Sequence, residues 1–237
     1  MNVPGRSCRP SFPPSVWNQV APATVQAHLR QVFTRWGRPA ALRLDNGLPW
    51  ATWNDLPTAF ALWLVGLGME LLFNPPRQPQ YNGVVEKSQD TGQRWCEPHR
   101  CRTADVLQAC LDAMDRRQRE EYPSLQGRSR MAVFPALRQP LQAYTPAWEE
   151  GAWDLRRAQD YLAGFVATRQ ANKQGQISVY NRRLSVGAAQ RGQVVVVQYD
   201  ADQQLWLLCD REGRLWREVA APEISRAHIC AMDISAP

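Results

Sequence analysis

The sequence predicts an α/β segment followed by a small all-β barrel of the SH3-like or OB type. Two observations predict the first part and one the second. Up to residue 125, apolar residues at helical spacing alternate with very short apolar strands. Gly, Ser and Arg at 126–130 then interrupt the pattern. After Gly175 the texture turns to five short runs of β-branched and aromatic residues, ISVY, RRLSV, QVVVVQYD, QLWLLCD and RLWREV. With 237 residues, 44% hydrophobic and 21% charged, the chain has enough apolar surface for a sizeable core, which excludes a wholly disordered tail or a fibrous repeat.

The elements follow in order. Residues 1–21 carry prolines 4, 10, 13 and 14 and read as an extended leader. From Pro22, Val25, Leu29, Val32, Phe33 and Trp36 recur at helical spacing, with Thr24 as a cap and Gly37 as a stop. Ala40–Leu44 reads as a strand ending at Asp45-Asn46-Gly47. A second helix is capped by Asp55, carries Pro57 in its first turn and buries Phe60, Leu64 and Leu67. Glu70–Phe73 is another strand, stopped by Pro75-Pro76, and the loop RQPQYNG leads into a helix across Val84–Trp95. A further helix spans Ala104–Glu121. Residues 126–174 form a basic segment with helical periodicity near 155–167, and 175–232 form the barrel, with turns at Asn181-Arg182, Gly192, Asp200–Gln203 and Glu212-Gly213.

No run of about 18 apolar residues exists to cross a membrane, and the N-terminal stretch has no apolar segment of a secretory signal. A cytoplasmic protein with free thiols at Cys8, Cys96, Cys101, Cys110, Cys209 and Cys230 is therefore expected. Cys96, His99, Cys101 and Cys110 lie close together, but the single residue between His99 and Cys101 fits no common zinc knuckle.

The net charge of +6 is unevenly spread. Residues 1–44 hold six Arg and no acid, and 45–125 hold eight basic against eleven acidic residues. Residues 126–175 then hold seven against four, and 176–237 seven against seven. An acidic block between basic segments suits a metal site set among phosphate-binding surfaces, as it also suits a solvated surface in an Arg-rich protein.

Two acids stand out by position. Asp45 sits at the C-terminal tip of an apolar strand, where functional groups of α/β folds converge, and Glu86 lies in the first turns of a helix. A carboxylate pair there is what divalent metals require. Asp-Asn-Gly also suits a hairpin turn, although no β-run follows Gly47, and Glu86 also suits the helix dipole or a cap.

Strand, Asp-Asn-Gly, helix, strand and then Pro76, Pro79, Asn82, Gly83 and Glu86 in P-x-x-P-x-x-N-G-x-x-E resemble the second half of a retroviral-integrase-like catalytic core, as found in insertion-sequence transposases. The C-terminal β-rich stretch from Gly175 also resembles the small barrel that follows many transposase cores. This resemblance, over about residues 22–230, implies an RNase H-like fold in 22–125 and Asp-Asp-Glu chemistry. In that chemistry two Mg²⁺ (or Mn²⁺) ions clamp the attacking and leaving oxygens of a phosphodiester. Asp45 would then hold one ion and Glu86 the other. Arg77, Tyr81, Lys87, Gln93 and Arg94 would contact DNA, with transposon ends and target DNA as partners and with self-association or a full-length transposase as a protein partner. The family's first aspartate has no counterpart, because residues 1–44 contain neither Asp nor Glu. The resemblance thus implies a core truncated at its N-terminus, its first strands missing, with metal binding weakened and catalysis by the lone chain not expected. Ala40–Leu44 would leave an open strand edge and apolar face. Two other readings stand beside this one: a DNA-binding remnant or regulator using the basic segment and barrel, and a generic α+β protein whose two acids are structural.

Overall fold

The computed structural model describes residues 21–47, 50, 55–75, 83–139 and 142–234. It is a mixed fold of helices and sheets in two compact units, one of residues 27–39 and 77–145 and the other of 21–26, 40–76 and 146–237. Of the leader, residues 1–20 lie outside the described residues.

The first unit is helical. Helix α1 (Pro22–Trp36) contributes its later residues, burying Leu29, Val32 and Phe33, and Phe33 meets Tyr144 edge to face at 5.6 Å. Gly37, at φ 84°, donates its N–H to the Phe33 carbonyl at 2.8 Å and ends the helix as its sequence position predicts. The other end differs: the helix begins at Pro22, so Thr24 lies inside it and not at its cap. Helix α3 (Gly83–Cys96) packs on α4 (Ala104–Glu120), where a Cβ on residue 92 would be in ordinary contact with Leu111 and Met114. Thr103 caps α4 by accepting from the Val106 N–H, and Ser129 caps the short α5 (Arg130–Val133) in the same way. Arg119 stacks 3.9 Å over Trp36 while pairing with Asp115 at 2.9 Å, both charges mostly removed from water. That burial is the main influence on both groups: it raises the Asp115 carboxyl and lowers the Arg119 guanidinium, against their mutual attraction.

The second unit is built around a βαβ crossover. Strand β1 (Ala41–Leu44) and β2 (Glu70–Phe73) are parallel, in register from Ala41 opposite Glu70 to Leu44 opposite Phe73. Parallel neighbours need a crossover, and α2 (Ala59–Gly66) supplies it. Its sequence, AFALWLVG, has no polar face, and every residue except Val65 is buried. Such a helix is stable only when covered all round. The cap is Thr58, whose Oγ accepts from the Ala61 N–H at 3.1 Å. Asp55, the cap expected from sequence, instead accepts from its neighbour Leu56 and pairs with Arg169 at 2.7 Å.

The chain beyond residue 146 provides the cover. Helices α6 (Pro146–Ala152), α7 (Leu155–Ala163) and α8 (Arg226–Ala231) come with it, and α7 and α8 both pack on α2. Trp63 Nε1 donates to the buried Glu149 carboxylate at 2.9 Å, and Trp153 Nε1 donates to the Trp63 carbonyl at 3.0 Å. The Trp153 indole lies directly over Gly66.

Strands β3 (Val166–Gln170), β6 (Val194–Asp200), β7 (Leu205–Cys209) and β8 (Leu215–Ala220) form a four-stranded antiparallel sheet in that order. Strands β4 (Gln176–Val179) and β5 (Arg182–Ser185) form a separate hairpin. The five β-rich runs of the sequence are all strands. The sixth, β3, lies within the segment read as basic and helical, because VATRQ has only two β-branched residues and follows a strongly amphipathic helix. The hairpin turns at Tyr180-Asn181, both left-handed at φ 46° and 64°, as a two-residue turn between strands requires. Alternate residues Val195, Val197 and Tyr199 face inward with Trp206 and Leu208. Gln159 on α7 donates to the Tyr199 hydroxyl at 3.1 Å, and burial pushes that phenol up to about 12. Tyr180, fully buried, donates to the Pro57 carbonyl at 2.5 Å and is held well above the usual tyrosine range by desolvation. Together with Arg169–Asp55, this bond ties the sheet region to the loop entering α2.

Among the described residues β1 pairs with β2 alone, so its other edge has no partner strand, as expected; of the apolar face, Leu42 and Leu44 are buried while Leu72 on β2 is 39% exposed. The five described cysteines are free, and Cys8 lies outside the described residues. No helix among the described residues is long and apolar enough to cross a membrane.

A Cβ on residue 66 would lie 2.3 Å from the Trp153 indole, a ring locked by its own hydrogen bond. Gly66→Ala should therefore lower stability by roughly 1–3 kcal/mol, the usual cost of overpacking. Thermal unfolding measures it, and an unchanged melting temperature would contradict this packing.

Candidate functional site

The tips of the two parallel strands are tied together. Asn74, just past β2, donates its N–H to the Leu44 carbonyl at 3.0 Å, and Asn46 Nδ2 donates to the Asn74 carbonyl at 2.8 Å. Between these bonds stands Asp45, exposed to solvent, with Oδ1 accepting from the Gly47 N–H at 3.0 Å. That contact is an Asx turn, which fixes the carboxyl at the strand tip. Residue 50 closes the bend, its N–H bonding to the Gly47 carbonyl at 3.0 Å. The strand after this turn is β2, reached through α2, so Asp-Asn-Gly is not a hairpin turn.

Glu86 lies in the first turn of α3, also exposed, and belongs to the other compact unit. Along α3, Gln93 is seven residues on and therefore shares its face. One residue further round stand Lys87 and Arg94, which both pair with Asp90: Lys87 at 3.5 Å and Arg94 in close contact. The Arg94 hydrogen bonds hold the Asp90 carboxyl below its ordinary range, and the charges of Arg94 and Lys87 add to this. Arg77 and Tyr81, with Pro76, Pro79 and Asn82 of the motif, lie outside the described residues.

What the structure does bring together is a cavity of about 530 Å³ in the helical unit. Lys87, Arg94 and Trp95 of α3 face Tyr122, just past α4, and Arg130 of α5 across it. Trp95 and Tyr122 meet edge to face at 5.4 Å, and the Arg117 guanidinium lies 5.3 Å from the Trp95 ring centre. Lys87 and Arg94 could be placed on this surface from sequence, since they are seven apart on one helix. Trp95, Tyr122 and Arg130 could not, because only the packing of α3 on α4 and the turn at 122–129 bring them to the same hollow.

No group of three or more His, Cys, Asp or Glu side chains suited to a metal ion occurs among the described residues. Asp45 and Glu86 belong to different compact units. Near α3, Cys96, Cys101 and Cys110 influence one another, and burial raises the Cys96 and Cys101 thiols, which suits neutral packing groups. His99 is exposed in a turn. No model of a known protein family matches the chain.

The Asx turn separates a structural from a functional role for Asp45. Asp45→Asn keeps the acceptor for Gly47 and should leave the melting temperature unchanged, whereas Asp45→Ala should cost about 0.5–1.5 kcal/mol. Equal destabilisation by both would show that the charge itself supports the fold.

The ion pairs on α3 have a defined sign. Asp90 is lowered in the folded chain, so its contribution is present above the ordinary carboxylate pKa and fades as pH falls through the lowered value. Arg94→Gln should move the Asp90 titration back up, as read by carboxyl chemical shifts. An unmoved titration would contradict the pairing.

Proposed function

We propose that the chain is a DNA-binding protein of transposition or integration. In this reading it carries the second half of an RNase H-like, Asp-Asp-Glu catalytic core and an SH3-like barrel built from β3–β8. The observation that carries the reading is the placement of Asp45 at the C-terminal tip of β1 in a parallel βαβ crossover, followed by Glu86 in the first turn of the next helix. The order of strand, helix, strand and helix is the one on which the resemblance rests. The cations of α3 support the DNA part: Lys87 and Arg94 sit with Arg130 around one hollow, positioned for phosphates. By the resemblance, Gln93, Arg77 and Tyr81 would also contact DNA.

In this reading Asp45 and Glu86 are the metal-binding and catalytic carboxylates, Mg²⁺ or Mn²⁺ is the cofactor, and the metals supply charge neutralisation at a phosphodiester. The third carboxylate must come from elsewhere than residues 1–44, which hold no acid. A non-catalytic DNA-binding role, as a regulator of a full-length transposase, is the second reading, and the lack of a three-carboxylate group among the described residues favours it for the chain acting alone. Transposon ends and target DNA are the nucleic-acid partners, and a second copy or a full-length transposase is the protein partner.

Three phosphate contacts predict a log–log salt slope near −2.7, so affinity for duplex DNA should fall roughly 40-fold between 50 and 200 mM NaCl. Fluorescence anisotropy with the full chain measures this, and a flat response would exclude the reading. With Mg²⁺ or Mn²⁺ the chain alone should neither cleave DNA nor transfer strands. Efficient transfer lost in Glu86→Gln would show that its metal centre is complete.

A further inference from the structure

The hollow beside α3 holds more than phosphate binding uses. Trp95 is 40% and Tyr122 46% exposed, although aromatic side chains of this size usually bury their rings. Both line the same cavity, touching edge to face, and the cations Lys87, Arg94 and Arg130 stand around them. Ser88 and Thr91 add hydroxyls, and no acid lines the cavity among the described residues. Its volume of about 530 Å³ is within the range of small-ligand sites.

We propose that this cavity takes an unpaired nucleotide of a DNA strand, its base stacked against Trp95 or Tyr122 and its phosphates on Lys87, Arg94 and Arg130. The inference rests on the DNA-binding part of the reading above and is independent of its chemistry. The reasoning is geometric. Lys87 and Arg94 are seven residues apart, or roughly 10 Å along the helix, so they serve successive phosphates better than one. A duplex hides the faces of its bases in the stack, whereas an unpaired base offers a π-face to an aromatic ring. A concave hollow with aromatic walls and a cationic rim therefore selects a single strand, or a duplex end from which a base has been turned out. Asp90 sets the threshold. It neutralises part of Lys87 and Arg94 from outside the cavity lining, so an incoming phosphate must displace it.

The test is fluorescence anisotropy of the full chain with an oligothymidylate of about 12 nucleotides and with a duplex of the same length, at 50 mM NaCl. Loss of one base–aromatic stack weakens binding by about fivefold or more. Trp95→Ala should therefore lose at least that on the single strand and less than twofold on the duplex, while Trp95→Phe retains most of the affinity. Should Trp95→Ala fail to fold, Tyr122→Ala and Asp90→Asn carry the test. The first should weaken single-strand binding selectively, and the second should tighten it by freeing two cations. Equal losses on both DNAs, no loss on either, or tighter binding to an oligoglutamate peptide than to the single strand would each overturn the proposal. Steeply salt-dependent duplex binding with Trp95→Ala without effect would overturn this inference alone. Absence of binding to either DNA would overturn the DNA-binding reading with it.

Discussion

The unit that carries Asp45 depends on one constraint: helix α2 has no polar side. A crossover helix in a parallel βαβ unit usually lays one apolar stripe on its sheet and leaves the opposite face to water. AFALWLVG cannot do that, and a two-stranded sheet covers little of it. The remainder must be covered by chain from far along the sequence, and it is. Helices α7 and α8 pack on α2, Trp153 closes over Gly66, and Glu149 accepts from Trp63. The buried Glu149 and the two indole donors also show how polar groups are admitted to this core, in bonds that satisfy the Trp63 and Trp153 N–H groups. The β-rich C-terminal region then follows α7 directly. Tyr180 to the Pro57 carbonyl and Arg169 to Asp55 fasten it to the loop that enters α2. The region read as a separate barrel thus shares a compact unit with the strand tip that carries Asp45.

Rigidity at that tip follows from the same packing. β1 and β2 are only four residues each, too short to hold a loop in place by their ladder alone. Their ends are joined instead by side-chain bonds, Asn46 to Asn74 and Asp45 to the Gly47 N–H, and α2 packs on β2. The helical unit solves a different problem. There the surface charges are partly self-compensated, with Asp90 bridging Lys87 and Arg94, so the net attraction for an anion depends on how readily those pairs exchange. Exposed pairs of this kind contribute little to stability.

Much of the fold was legible because period and punctuation are local. The strands Glu70–Phe73 and Ala41–Leu44, the helices around Glu86 and after Thr103, and the five β-rich runs all announce themselves by spacing and by Gly or Asn at their ends. The misreadings have a common cause in tertiary context. Asp55 looks like a cap, but Arg169, 114 residues away, claims its carboxylate and Thr58 caps in its place. Thr24 looks like a cap, yet the helix starts at Pro22, where a proline costs no hydrogen bond in the first turn. β3 was hidden because its strand character comes from pairing with Val194–Gln198, not from its own composition. The positions of Asp45 at a strand tip and Glu86 in a first helical turn were legible, whereas the cavity lined by Trp95, Tyr122 and Arg130 needed the α3–α4 packing to exist.

The central claim is that α3 is a DNA-contacting helix, and photochemical cross-linking addresses it most directly. The full chain, irradiated on a duplex carrying photoreactive thymine analogues and then digested, is read by mass spectrometry for the peptides that carry nucleotide. The account predicts cross-links concentrated in residues 83–96 and 122–130, competed away by salt. Cross-links confined to the sheet of the C-terminal unit, or none above an unrelated basic protein, would contradict it.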